Sequence, residues 1–358
     1  MVENIYQSNI IKSNVKKILF SYYSNLGKIG RIYKFSKEGF NSQIYVFFIN
    51  KKKYIIKIIP NPDDIYGKKS SHARMSIITN IISKLSKKHC FENFLKNNNG
   101  KFITRYKNSI IRVAEYIESN PRKTNSEIVL KKSIKKINKL HGSLWNNLEV
   151  SDKKKLKKLS IPYTLKKSFK KRKKIKLFLM NEIKKKKTIF SKKDLKIIIN
   201  NFELLCDNIS RVKGIESSSF FKIKGFTHND FHQDNIIISK NKKIYLLDFD
   251  NIQYSEIFRC LYFFLLRFSS YKKNINENTL IKNYDLLKNN YNCYRIPSYK
   301  DSLKYLLYVE LEKIFKILCR ISEKYFLTVF VKKIITLHLP NVFFLITTLD
   351  KYEIESKK

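Results

Sequence analysis

Glycine and proline are scarce in this 358-residue chain, eight and six respectively, which excludes collagen-like and Pro/Gly-rich low-complexity classes. Cysteine is sparse too. Cys90, Cys206, Cys260, Cys293 and Cys319 are scattered, odd in number and contain no C-x-x-C pair. Neither a disulfide framework nor a zinc site is expected, and a reducing compartment fits. Long apolar runs are missing: residues 260–268 include Arg267, residues 339–349 include polar positions, and both fall short of a membrane span. The first 17 residues carry Glu3 and no apolar core of a secretory signal. The expectation is an intracellular, cytoplasmic protein without a membrane span. Acidic residues are also few, 29 against 74 Lys and Arg, for a net charge of +45.

What the chain has is 43% hydrophobic and 14% aromatic residues, enough for packed cores and a length that suggests about two domains. Its positive charge is almost all lysine, 63 residues against 11 arginines, in a chain also crowded with Ile and Asn. A/T-rich codon bias produces that pattern by itself. Proteins that grip phosphates make more use of arginine, whose planar fork binds bidentately. Nucleic acid is therefore not the expected partner, and the charge reads as a solvated surface.

Residues 33–59 read as strands, with Gln43–Phe48 and Tyr54–Ile59 joined by the polar turn 50–53. Ile77, Ile78, Ile81, Ile82 and Leu85 then follow helical spacing, and strands are expected at 101–104 and 110–116. From Glu118 helices dominate. Leu130, Ile134, Ile137, Leu140 and Leu144 form one apolar stripe, and Ser191 with Asp194 resembles a capping box opening a helix over 195–209. The basic stretch 153–187 reads as exposed helices with one buried stripe. Residues 256–268, 276–289 and 299–348 supply further helices.

The informative segment is Thr227-His-Asn-Asp-Phe-His-Gln-Asp-Asn235, followed by Ile236–Ser239 and Lys243-Ile-Tyr-Leu-Leu-Asp-Phe-Asp250. A polar loop, a strand, a turn and a second strand return Asp248 toward Asp230 and Asn235. Two carboxylates and an amide supply oxygen ligands that suit Mg²⁺. Kinase catalytic loops place a proton-accepting Asp five residues before a metal-binding Asn, with a metal-binding Asp on the next hairpin. Asp230, Asn235 and Asp248 have that order and spacing. A different reading takes the alternation His228, Asp230, His232, Asp234 as one strand face binding a transition metal in a hydrolase. Against it, His72, His89, His141 and His338 are distant in sequence.

His228-x-Asp230-(x)4-Asn235 with Leu247-Asp-Phe-Asp250 resembles the aminoglycoside phosphotransferase and choline kinase superfamily, and within it the bacterial spore coat protein S type of kinase-like proteins. The resemblance implies an α+β, two-lobed protein-kinase-like fold. A small antiparallel-sheet amino lobe, 1–117, and a larger, mainly helical carboxyl lobe, 118–358, would flank an ATP cleft. Glu38-Gly39-Phe-Asn41-Ser42 resembles the family's phosphate loop, Lys57 its strand lysine, and Arg112–Ile117 its hinge, where the backbone at Glu115 and Ile117 would meet adenine. The implied roles are Asp230 as catalytic base, Asn235, Asp248 and Asp250 as Mg²⁺ ligands, and Gly39, Asn41 and Lys57 on the phosphates of ATP. The acceptor would be a hydroxyl of a small molecule or glycan, with spore-coat proteins as partners and the spore coat as a second location.

Each residue also has a plain structural reading: Lys57 as a solvated strand residue, His228 as a loop brace, and Asp250 as the cap of the next turn. One departure bears on activity. No Asp or Glu lies between Asp64 and Glu92, so the helix after Lys57 lacks the acid that kinases use to hold that lysine. This opens the alternative of a catalytically degenerate kinase-fold protein serving as a structural, coat or binding component.

If the charge is compositional, generic DNA or RNA should bind weakly and be released at roughly physiological salt, because lysine contacts there amount to counterion exchange. Filter binding across a salt series checks this. Sub-micromolar, structure-selective binding at that salt would overturn it.

Overall fold

A computed structural model describes residues 12–35, 42–60, 71–89, 91–119, 127–160, 165–188, 190–269, 275–322 and 328–355. They divide into two units, Met1–Ser160 with Asp234–Gln253, and Ile161–Gln233 with Tyr254–Lys358. The boundary expected at 117 falls inside the first unit, which also takes in the hairpin after the polar loop.

The first unit contains helices α1 (Lys12–Tyr23), α2 (Ser71–His89), α3 (Glu127–Asn147) and α4 (Val150–Leu159). Strands β1 (Ile29–Lys34), β2 (Gln43–Ile49), β3 (Lys52–Pro60), β4 (Thr104–Tyr106) and β5 (Ser109–Glu115) form an antiparallel sheet in the order β1-β2-β3-β5-β4. The expected strand at 101–104 lies slightly later in the chain, as β4. The turn between β2 and β3 is Asn50–Lys51, both at positive φ, which matches the right-handed twist of a two-residue hairpin.

Alternation assigns the two sheet faces. Tyr45, Phe47, Ile49, Ile56, Ile58, Ile111 and Val113 pack with Val15, Ile18, Leu19 and Tyr23 of α1. On the opposite face Ile59 and Ile110 pack with Met75 of α2. A sheet covered on both faces has near-continuous apolar strands, which is why β3 and β5 do not alternate cleanly. The stripe on α3 is buried as expected. The short strands β7 (Ile236–Ile238) and β8 (Ile244–Leu246) complete this unit.

The second unit is helical apart from the pair β6 (Lys224–Thr227) and β9 (Gln253–Glu256). Its helices are α5 (Leu165–Phe169), α6 (Arg172–Lys184), α7 (Lys192–Asn200), α8 (Phe202–Val212), α9 (Ser219–Lys222), α10 (Ile257–Ser269), α11 (Glu277–Asn290), α12 (Tyr299–Ser322), α13 (Thr328–Lys333) and α14 (Leu339–Glu355). The central α12 buries residues on every side, with Tyr305 and Tyr308 in an aromatic cluster with Phe220, Phe221 and Tyr262. The Ser191 side chain caps α7 by accepting from the Asp194 N–H, 3.3 Å, as the capping pattern predicts. The helix expected over 195–209 is two helices, broken at Asn201. A single π-turn, Ile334–His338, joins α13 to α14. Pro340 accounts for it, since it cannot donate to the carbonyl of Thr336. Among the described residues no helix is long and apolar enough to cross a membrane.

Phe47 is fully buried where the sheet meets α1. Phe47→Ala should cost about 3–5 kcal/mol, read as a lower urea midpoint; a loss under about 1 kcal/mol would contradict that packing.

Candidate active site

In the first unit the sheet register places Lys57 of β3 directly opposite Arg112 of β5. Two cations side by side on one face repel unless an anion joins them. Asp250 supplies it. One of its carboxylate oxygens pairs with Arg112 and the other with Lys57 at 2.8 Å, with both Asp250 and Arg112 only 2% exposed. Burial opposes the charge of Asp250, but Arg112 and Lys57 win and hold its carboxyl far below the usual carboxylate range. Lys57 also donates to Asp248 at 2.8 Å. The lysine that lacked an acid on the following helix is thus held by the Asp-Phe-Asp segment itself.

Arg74 of α2, buried, donates to the backbone oxygen of Asp250 at 3.2 Å. A cation therefore stands on the helix where kinases keep a glutamate. Sequence reading missed Arg74, though an arginine amid Met75, Ile77 and Ile78 in so arginine-poor a chain was a signal. It also missed Glu92, whose carboxyl is pushed up by burial despite the fields of Arg112 and Lys57.

Asn235 and Asp248 flank the β7–β8 hairpin. The Leu247 N–H donates to the Asn235 oxygen at 2.9 Å, which brings Asn235 to the end of the hairpin where Asp248 follows. Asp248 is left-handed, φ 58°, and its side chain is 34% exposed. A non-glycine residue in that region marks a constrained site. Phe249 locks it by packing edge-on against Phe91, with ring centroids 5.4 Å apart. One amide and one half-exposed carboxylate are hard oxygen donors and fit Mg²⁺, which otherwise keeps waters and substrate phosphates. Both oxygens of Asp250 face cations, one Arg112 and the other Lys57.

Glu115 and Ile117 line a pocket of about 330 Å³ together with Phe91, Asn93, Tyr116 and Tyr245, within the size of small-ligand sites. The Glu115 carboxylate is engaged by Lys52 at 2.5 Å, and its N–H donates to the Asn93 oxygen at 3.0 Å. What it leaves for a ligand is its carbonyl edge. Gly39 and Asn41 lie outside the described residues.

Asp230 belongs to the second unit. It follows Asn229, which is left-handed at φ 53° and is braced by Ser255, whose hydroxyl donates to it at 3.1 Å. That kink breaks the extended strand needed for His228, Asp230, His232 and Asp234 to share a face. Phe231 anchors the loop by stacking on Phe264 at 4.4 Å. Burial raises the Asp230 carboxyl, but the hydrogen bond from His232 and the fields of His232, His228 and Lys313 outweigh it and hold it at about 2. It is an anion throughout the physiological range.

No protein-family model and no curated protein sequence matches the chain. Solved structures do. A spectinomycin phosphotransferase in complex with ADP and spectinomycin aligns over 88% of each chain with a TM-score of 0.59 at 15% identity. An amicoumacin kinase in complex with AMP-PNP and Ca²⁺ aligns over 94% of this chain and 96% of its own, TM-score 0.60, 13% identity. The fold is that of small-molecule kinases. Ethanolamine kinase of Plasmodium vivax gives 94% and 91%, TM-score 0.60 and 13% identity. Identities this low speak for the fold alone: a small antiparallel sheet with a larger helical region.

Arg112→Met should leave the Asp250 carboxylate with one cation instead of two and cost about 3–5 kcal/mol, measured by denaturant unfolding at neutral pH. At pH values low enough to protonate Asp250 the gap should close, since a depressed carboxyl stabilises the fold above its unfolded value and loses that contribution as pH falls through the folded one. A variant as stable as wild type at pH 7 would remove the ion pair from the account.

Proposed function

We propose that the protein is an ATP-dependent phosphotransferase that uses Mg²⁺ and acts on a hydroxyl of a small molecule or glycan. The observation that carries this reading is Lys57 held between Asp248 and Asp250, on a fold shared with small-molecule kinases, with the Asp230-(x)4-Asn235 loop running directly into the hairpin. In this reading Lys57 steadies the nucleotide phosphates and Asp250 holds Lys57. The backbone of Glu115 and Ile117 takes the adenine, the Gly39–Asn41 turn covers the phosphates, and Asn235 and Asp248 hold the metal. When bound, Mg²⁺ would offset charge on the phosphates.

The acceptor oxygen bonds to the γ-phosphorus, the bridging bond to the β-phosphate breaks, and the acceptor proton leaves by way of Asp230 to solvent. A carboxyl held at about 2 is a weak base. Its contribution is to fix the hydroxyl and aim its lone pair, which suits a loose transition state in which proton transfer comes late. The degenerate, binding-only reading loses its main support because Lys57 has its acid partner after all. Association with a spore coat rests on the loop resemblance alone, and fractionation of spores would test it.

Mg·ATP at about 100 times its dissociation constant should stabilise the protein by about 2.7 kcal/mol in thermal unfolding. Asp230→Asn should keep that shift and lower ATP turnover, to an acceptor or to water, by about 10²–10⁴-fold. Asp248→Ala should weaken the Mg²⁺-dependent shift itself. Equal hydrolysis by wild type and Asp230→Asn would refute the role given to Asp230. Nucleotide binding without turnover toward water or a panel of alcohols would favour the binding-only reading.

A further inference from the structure

Within the second unit, helix α6 shows apolar residues on two opposite sides. Ile175, Leu179 and Glu182 are buried and form its inward face, packed on α7 and α12. Away from that face, Lys173, Leu177, Met180 and Lys184 succeed one another at i, i+4, i+7 and i+11, one stripe along the helix. At the centre of the stripe Leu177 is 61% exposed and Met180 43%. A helix packed on a core keeps its outermost positions polar, so an apolar centre between charged ends is the reverse of what burial asks for.

The charge around this stripe also exceeds the bias of the chain. Residues 165–193 hold 13 lysines and one arginine, so 14 of 29 positions are basic against 74 of 358 overall, and the stretch has a single acid. That acid, Glu182, is turned inward and engaged by Lys185 and Thr188, while Lys176 pairs with Glu203 of α8. Lys170, Lys173 and Lys174 at one end of α6 and Lys184, Lys186 and Lys187 at the other are exposed, and none of them forms an ion pair among the described residues. What complements this face is an anionic surface with an apolar layer beneath it. Lysine suits such a surface, because its stem lies along apolar matter while its ammonium stays with phosphates. A nucleic acid would satisfy the lysines but set Leu177 and Met180 against its charged backbone, and the stripe offers no aromatic ring on which a base could stack.

We propose that the second unit docks reversibly on an anionic phospholipid membrane through the outward face of α6, with Leu177 and Met180 entering the headgroup boundary and the flanking lysines on lipid phosphates. The proposal does not depend on the phosphotransferase reading. The full chain is sedimented with phosphatidylcholine vesicles, with and without phosphatidylglycerol, at roughly physiological salt. Phosphatidylglycerol should raise partitioning at least about ten-fold. Lys173→Glu with Lys184→Glu, or the milder Lys173→Gln with Lys184→Gln if the first pair fails to fold, should erase most of that gain. Lys101→Glu with Lys288→Glu, exposed positions away from α6 that change the net charge as much as the first pair, should alter it by less than about two-fold. Leu177→Trp, read as the difference from wild type, should shift its emission to the blue on phosphatidylglycerol vesicles and not on duplex DNA. Equal partitioning with and without phosphatidylglycerol, or equal losses in the two Lys→Glu pairs, would overturn the proposal. So would an unmoved emission of Leu177→Trp on the vesicles, and tight DNA binding beside it would assign the face to nucleic acid instead.

Discussion

A buried carboxylate shared by two cations organises the first unit. Lys57 and Arg112 are set side by side by the antiparallel register, and Asp250 bridges the two. A charge this deeply buried is worth little as net stability, because desolvation offsets most of the attraction, but its geometry is exacting. Asp250 must come back to the sheet after the β7–β8 hairpin, and Phe249, packed on Phe91, and Arg74, bound to the Asp250 backbone, fix how it does so. Asp248, two residues earlier, is left-handed and half-exposed.

The same arrangement explains how the chain dispenses with a helix glutamate. In the common kinase solution the strand lysine is steadied from the helix that follows it. Here α2 offers Arg74, and the acid comes from the Asp-Phe-Asp segment instead. The sign of the helix contact is inverted, yet the lysine is still held by an anion.

Much of this was legible in the sequence. The polar loop and the hairpin that carry Asp230, Asn235 and Asp248 were legible by spacing, because two short strands and a turn need a fixed number of residues whatever surrounds them. The stripe on α3 was equally plain, since Leu130 to Leu144 repeat at helical intervals. The ion pairs of Asp250 were hidden because its partners, Arg112 and Lys57, lie more than a hundred residues away and are set side by side through sheet register. Helix α1 went unread although Val15, Ile18, Leu19 and Tyr23 carry helical spacing; the surrounding lysines masked a stripe that only a covered sheet face explains. The break at Asn201 was hidden for a similar reason, since both flanking helices share one apolar pattern.

The discontinuity of the first unit sets an order on synthesis. Lys57 and Arg112 emerge from the ribosome long before Asp250, with the roughly seventy residues from Ile161 to Gln233 built in between for the other unit. At about 5–20 residues per second, the nascent sheet spends several seconds without the carboxylates of Asp248 and Asp250. During that interval β3 and β5 have a reason to stay apart, and α1 has only part of the surface it will cover. The first unit is therefore completed late, when the chain has passed residue 250 and Asp248 and Asp250 reach Lys57 and Arg112.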